Sequence, residues 1–263
     1  SSDLLKRVGG GTEHTQVGTG ASSICGGTTS HSTWNTWDMF GSTGLYVDVD
    51  TSKCAFTEAR PRYVASVVGD TAHWQLTGVN SIYSATNSGF RVYMWHPVLR
   101  GKFMQYFAQR YNWKLSWLAD SGKSSGITEA GKSGWAQVPK TKNALFIDVS
   151  TEKSQYASTP RLVTSIHGGR DHWKLQGAHS IYEPSPKGFR IFCVFPTEVT
   201  AAFAEEQKWQ VAWVGSEDER TSGLSSTNWM AYTPTGRTEG KGLFVDVDTS
   251  AGKYATVPSY VTS

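Results

Sequence analysis

Apolar and polar side chains alternate one for one along much of this chain, in short runs bounded by Gly, Ser, Thr, Asn or Pro. Leu45, Val47 and Val49 fall on one side of such a run and Tyr46, Asp48 and Asp50 on the other; Leu145, Ile147, Val149 and Leu243, Val245, Val247 repeat it. Phe90, Val92, Met94 pair with Phe189, Ile191, Cys193 in the same way, and Trp113, Leu115, Trp117 with Trp209, Val211, Trp213. A period of two marks a strand with one buried face, so the aliphatic members are predicted core. After Pro97 the apolar spacing changes to every fourth residue at Leu99, Phe103 and Phe107, and after Pro196 at Val199 and Phe203. That spacing predicts one short helix in each copy, expected to cap an open end of the strand layers.

The runs recur in one order. Residues 45–97 carry LYVDVDTS, PRYVASVVGD, HWQLTGVNSIYS and GFRVYMWHP; residues 145–196 carry LFIDVSTE, PRLVTSIHGG, HWKLQGAHSIYE and GFRIFCVFP. Pro61 maps to Pro160, Trp74 to Trp173 and Gly89 to Gly188 at a constant spacing, and a third copy opens with LFVDVDTS at Leu243 and reaches PSYVTS. Self-similarity of this kind decides the fold before anything else does. The expected class is all-β: tandem pseudo-twofold antiparallel β-sandwiches, each with one short helix, plus a partial third repeat. A flexible, Gly/Ser/Thr-heavy arm is expected over 1–33, unit 1 over 34–120, a mobile linker over 121–132, unit 2 over 133–216 and the partial repeat over 217–263.

Composition agrees with many strands joined by turns, since aromatics reach 13% with 11 Trp and 27 Gly. The formal charge of +3 is dispersed, so no stripe able to neutralise a row of phosphates exists and nucleic acid is excluded as a partner. No apolar run approaches the roughly 20 residues of a membrane-spanning helix, and no h-region with a cleavage site opens the chain. Cys25, Cys54 and Cys193 have no metal-ligand spacing; they read as reduced thiols, with a Cys25 to Cys54 bridge as the lesser alternative. The absence of an Asn-x-Ser/Thr sequon leans toward an intracellular or organellar compartment.

Candidate chemistry adds little. Asp48 with Asp50, and Asp246 with Asp248, become Asp148 with Ser150 in the second copy, and alternation puts the carboxylates on an outward face. A solvated surface or an Asx turn outweighs calcium there. In the His73–Trp74 and His172–Trp173 steps, Trp reads as core edge and His as a turn hydrogen-bonder rather than a ligand. No nucleophile elbow, phosphate-cradling loop or metal motif is present, so the expectation is a non-catalytic chain without cofactor or metal.

Two resemblances follow from the motifs. GWAQVP, LFIDVS, PRLVTSI, IYEPSPKGFRIFCVFP and WQVAWVG, within residues 134–215, resemble the H-type lectins, small antiparallel β-sandwiches that bind N-acetylgalactosamine as trimers. In that family a Trp-His pair after the GFK-like strand helps to hold the sugar; Trp95 and His96 match it, whereas the second copy has Val194 and Phe195. An extracellular carbohydrate-binding module is what this resemblance implies. LYVDVDTS, PRYVASVVGD, HWQLTGVNSIYS, TNSGFRVYMW and NWKLSWLA are similar to the pyrenoid shell proteins (PyShell) of diatoms and related algae, and the likeness covers almost the whole repeat region. It implies a structural protein of the chloroplast stroma that assembles with itself into a sheet at the pyrenoid periphery, around Rubisco, in support of carbon fixation. Rubisco or the pyrenoid matrix is the further partner that it implies.

The third copy links residues to assembly. It stops at Ser263, before a His-Trp step, and a unit needs facing strands to bury Leu243, Phe244, Val245 and Val247. Tyr254, Tyr260 and Val261 belong to the same stretch. Three covers are open: the first unit of the same chain, a neighbouring chain, or a fold-back edge. Donation to a neighbour is a heterologous contact, which grows open arrays. Trp229 and Tyr232 are candidate interface anchors, or match Trp34, Trp37 and Trp135 as residues that open a unit.

Overall fold

The computed structural model describes residues 13–16, 24–39, 42–131, 134–218, 222–232, 242–255 and 260–262. Among them the chain is all-β, with strands in several sheets and two helices. One four-stranded sheet has the order β1 (Glu13–Gln16), β2 (Ile24–Thr28), β8 (Lys114–Asp120), β5 (Arg62–Val68). A seven-stranded sheet runs β3 (Asn35–Met39), β4 (Ser42–Asp50), β7 (Gly89–Met94), β6 (Ser81–Thr86), β12 (Arg161–His167), β15 (Gln210–Ser216), β9 (Ser125–Ile127). A second four-stranded sheet runs β10 (Trp135–Gln137), β11 (Ala144–Ser150), β14 (Gly188–Val194), β13 (Ile181–Ser185), and β16 (Met230–Tyr232) pairs with β17 (Gly242–Phe244). Among the described residues every strand pairing is antiparallel except β6 with β12, which is parallel.

The alternating sets form two cores. Leu45, Val47, Val49, Phe90, Val92 and Met94 from the seven-stranded sheet meet Tyr63, Ala65, Leu115, Trp117 and Ala119 from the first four-stranded sheet. Leu145, Ile147, Val149, Phe189, Ile191 and Cys193 meet Leu162, Ile166, Val211 and Trp213 in the second core. Each such aliphatic side chain contributes ~1.5–3 kcal/mol on leaving water, which is why register is fixed wherever one face is buried. Matching indoles lock both cores: Trp34 Nε1 donates to the Trp113 carbonyl at 2.7 Å and Trp135 Nε1 to the Trp209 carbonyl at 3.1 Å.

Helices α1 (Gly101–Arg110) and α2 (Ala201–Glu206) sit where the every-fourth-residue spacing puts them. Thr200 caps α2 by accepting the Phe203 amide at 3.1 Å. In α1 the buried face is carried by Met104 and Ala108, while Phe103 is 58% exposed, so the helix is turned from the predicted orientation. No helix among the described residues is long and apolar enough to cross a membrane.

Three expectations change. Residues 24–33 are not arm: β2 pairs along β8, Cys25 and Thr29 are buried, and Thr29 Oγ1 accepts the Leu115 amide at 3.0 Å. Most of the predicted arm ahead of β2 lies outside the described residues. The 121–132 linker likewise contains β9, paired with β15, and Thr128 Oγ1 accepts the Val211 amide at 3.0 Å. Gly- and Ser-rich strands bury little side chain, so their ladder bonds leave no alternation to read. Finally, Cys25 and Cys54 form a disulfide, their Cα atoms 5.9 Å apart, which corrects the reduced-thiol reading; Cys193 is free and buried. A core-facing Cys25 and a turn that brings Cys54 beneath it supply the required geometry.

Candidate functional site

The third copy keeps the local structure of the other two. Met230 pairs with Phe244 in β16 and β17 as Asn35 pairs with Tyr46 and Ala136 with Phe146. Past the strand, Asp248 Oδ1 accepts the Ser250 amide at 2.8 Å, as Asp50 Oδ1 accepts the Ser52 amide at 2.9 Å. These are the Asx turns expected of the outward carboxylates. The turn then closes with a left-handed residue: Lys253 at φ 49°, matching Ala55 at 51° and Gln155 at 53°. Thr249 Oγ1 lies 3.0 Å from Tyr260 Oη, and Thr51 Oγ1 lies 2.9 Å from Tyr63 Oη.

What differs is cover. Leu45, Val47 and Val49 are buried, as are Leu145, Ile147 and Val149. In the third copy Leu243 is 67% exposed and Val247 55%, with Phe244, Tyr254 and Tyr260 also exposed. Val245 and Val261 are half-buried. Trp229 and Met230 are exposed beside them. Tyr46 and Phe146, which match Phe244, each lie under an arginine, Arg91 at 4.5 Å and Arg190 at 5.0 Å. Those arginines grip Asp48 and Asp148 with two bonds each of 2.6–2.8 Å. The Arg190 guanidinium holds the Asp148 carboxyl below its ordinary range.

A second built region joins the copies where β6 meets β12. Ser81 and Ile82 pair with Ile166 and His167. Ser165 Oγ accepts the Ala65 amide at 3.1 Å, and His167 Nε2 donates to the Tyr63 carbonyl at 2.9 Å, so side chains of β12 satisfy the outer edge of β5. His172 Nε2 donates to the Ile82 carbonyl at 3.1 Å, and its ring stacks on Tyr83 at 3.8 Å. Burial pushes His167 down to about 4 and His172 down to about 3. The neutral form of each ring is therefore the one held at the joint. Trp173 follows, its amide donating to Tyr83 Oη at 3.1 Å and its indole lying 5.3 Å from Trp37 and 6.5 Å from Trp95.

The His-Trp steps thus do different things. His172 and Trp173 form a joint, whereas Trp74, expected at a core edge, is 55% exposed. The sequence offered the two steps as equals; the joint needs Trp37 and Trp95, and the second copy has Val138 and Val194 in the corresponding places. Trp95 itself is half-buried, with the Arg100 guanidinium 4.8 Å over its ring. His96, matched in the sequence to the lectin family's Trp-His pair, is buried, and its Nδ1 accepts the Val98 and Leu99 amides at 3.0 Å. The imidazole holds the loop entering α1, so the two side chains do not stand together as an open sugar platform. Tested against known protein families, curated proteins and solved structures, the chain matches none.

Proposed function

We propose that this chain is a non-catalytic, self-assembling structural protein, built as tandem pseudo-twofold β-sandwiches with a partial third repeat. Its product is a sheet-like shell around the Rubisco-containing pyrenoid in the chloroplast stroma. One observation carries the assembly half of this reading: residues 242–255 and 260–262 hold the turn, register and hydroxyl pair of a folded unit while Leu243, Phe244, Val247, Tyr254 and Tyr260 stay exposed. A segment with that much local order and that little cover is a ready surface for another chain. The partner is a second copy of the chain, because the strand edges and apolar faces that suit this motif are those of its own repeat. The pyrenoid half rests on the motif resemblance, from LYVDVDTS to NWKLSWLA.

Electron microscopy of the concentrated protein tests assembly, and the expected products are sheets or tubes. Deleting residues 243–263 is expected to abolish them while the cores stay folded, since among the described residues no member of either core lies in that segment. Ordered arrays from the shortened chain would defeat the role given to the third copy; full-length protein that stays monomeric would defeat assembly itself. A fluorescent fusion expressed in a diatom tests location separately, with a ring around the Rubisco body as the expected image and diffuse stromal signal as the contrary one.

A further inference from the structure

The joint between the copies is one plug in one socket. The plug is the turn His172–Lys174, set by the left-handed Asp171 at φ 61° and closed by the Leu175 amide, which donates to the His172 carbonyl at 3.1 Å. The socket is Ser81, Ile82 and Tyr83. Ser81 Oγ donates to the His172 carbonyl at 3.0 Å, the Ile82 carbonyl accepts His172 Nε2, and the Tyr83 hydroxyl accepts the Trp173 amide. Both parts are short pieces of the repeat, so each occurs twice in the chain.

The second plug is His73–Gln75, with Ala72 at φ 65° and the Leu76 amide on the His73 carbonyl at 3.1 Å. The second socket is Ser180, Ile181 and Tyr182, and it has the register of the first: Ile181 faces Ile191 and Tyr182 faces Arg190, as Ile82 faces Val92 and Tyr83 faces Arg91. Each is followed by a left-handed residue at φ 50°, Glu183 and Ser84. Tyr182 meets Phe192 edge-on at 4.9 Å, and Tyr83 meets Tyr93 at 4.9 Å. Equal register aims the Ile181 carbonyl at the outer edge of β13, the edge strand of its sheet, where the Ile82 carbonyl meets His172. What differs is cover. Tyr83 is 8% exposed and Tyr182 47%, and Val194 and Trp74 are exposed as well.

We propose that the second socket takes the second plug from another copy of this chain. Trp74 of one molecule seats against Tyr182, Phe192 and Val194 of the next, with its amide on the Tyr182 hydroxyl and His73 on the Ile181 carbonyl. A second copy is the occupant because the joint inside the molecule already matches these groups, donor for acceptor, and a foreign protein would have to reproduce both the turn and its bonds. The inference rests on the assembly reading for self-association, but it uses no residue of the third copy. Val138 and Val194 stand where the first socket has Trp37 and Trp95, so the plug loses two ring contacts and holds less tightly than in the joint. By itself the contact has a Kd on the order of 1 mM, in the range of small transient interfaces. It adds to the contact of the third copy and does not replace it.

The test is photo-crosslinking of the full chain carrying Trp74→p-benzoylphenylalanine, irradiated at about 1 mM as a mixture of ¹⁵N-labelled and unlabelled protein. Mass spectrometry is expected to find crosslinks to residues 181–194 in pairs that contain one labelled and one unlabelled chain. Tyr182→Ala and Val194→Asp are each expected to lower the yield about tenfold, and Phe103→Ala, at an exposed ring on α1, to leave it unchanged. Thermal melts check that each variant is folded; both socket side chains are exposed, so neither change opens a core. Crosslinks to 181–194 found only within single chains overturn the proposal, as does an absence of crosslinks, crosslinks that fall on another surface, or a yield that survives both socket variants. Sheets seen by microscopy without the mixed crosslink defeat this contact alone, and the mixed crosslink without sheets defeats the role of the third copy alone.

Discussion

His167 and His172 each give their Nε2 proton to a backbone carbonyl, and His172 Nδ1 is buried with no partner. A second proton would put a full charge on a ring taken out of water, and that desolvation outweighs the help of the Ile82 and Arg170 carbonyls at His172 and of the Tyr63 carbonyl at His167, which is the physical content of folded-state values of about 4 and about 3. The unfolded chain titrates near the ordinary value of ~6.5, so below that pH it binds protons the folded chain refuses. Stability contributed by the two rings is complete above about pH 6.5 and drains as pH falls toward the folded values. By about pH 5 the loss is roughly 1–2 kcal/mol for each ring. Urea unfolding at a series of pH values checks this, and His167→Gln, whose amide can still donate to Tyr63, is expected to flatten the dependence. An unchanged slope in that variant would show that carboxylates, not this ring, set the acid limit. The sequence marked the His172–Trp173 step but misjudged its weight, because alternation reports which side of a strand a residue takes and not which other strand comes to meet it.

Elements were legible in proportion to how much side chain they bury. Strands β4, β7, β8, β11, β14 and β15 announce themselves through aliphatic and aromatic alternation, whereas β2 and β9 are short, Gly-containing and held by their ladders and by Thr29 and Thr128. The disulfide was half-legible for a related reason: only the first copy carries the pair, and Ser124 and Ser154 stand at the corresponding places in the second. Tying β2 to the turn after β4 closes a separation of 29 residues. A bridge over a loop of that order is worth about 2–4 kcal/mol. Cys25→Ser is expected to lose stability on that scale in denaturant titration, and reductant is expected to shift the wild type by the same amount while leaving the variant where it was. A reductant effect of equal size in Cys25→Ser would place the sensitivity elsewhere in the chain.

At the scale of the whole molecule, the sequence displayed three copies but could not say that one of them goes uncovered, since Leu243 and Leu45 stand in the same motif. Their difference, 67% exposed against fully buried, is a property of what packs on them. Covering Leu243, Phe244 and Val247 is worth ~1.5–3 kcal/mol apiece, while bringing two chains together costs about 4–15 kcal/mol in lost motion. One such contact is close to balance, so a lasting lattice needs each molecule to make the contact more than once, as donor and as acceptor. The consequence is a melting temperature that depends on protein concentration, because assembly stabilises only the folded chain. A tenfold rise in concentration is expected to lift the full chain's Tm by ~3 °C, for a gain of RT ln 10 in a domain of this size. The chain without residues 243–263 is expected to melt at one temperature throughout, near that of the dilute full chain, since the described residues among those deleted lie outside both cores. Calorimetric scans over a dilution series decide it. A full chain whose Tm ignores concentration, or a shortened chain that melts far below it at the lowest concentration, would mean that the third copy stabilises its own molecule rather than a neighbour.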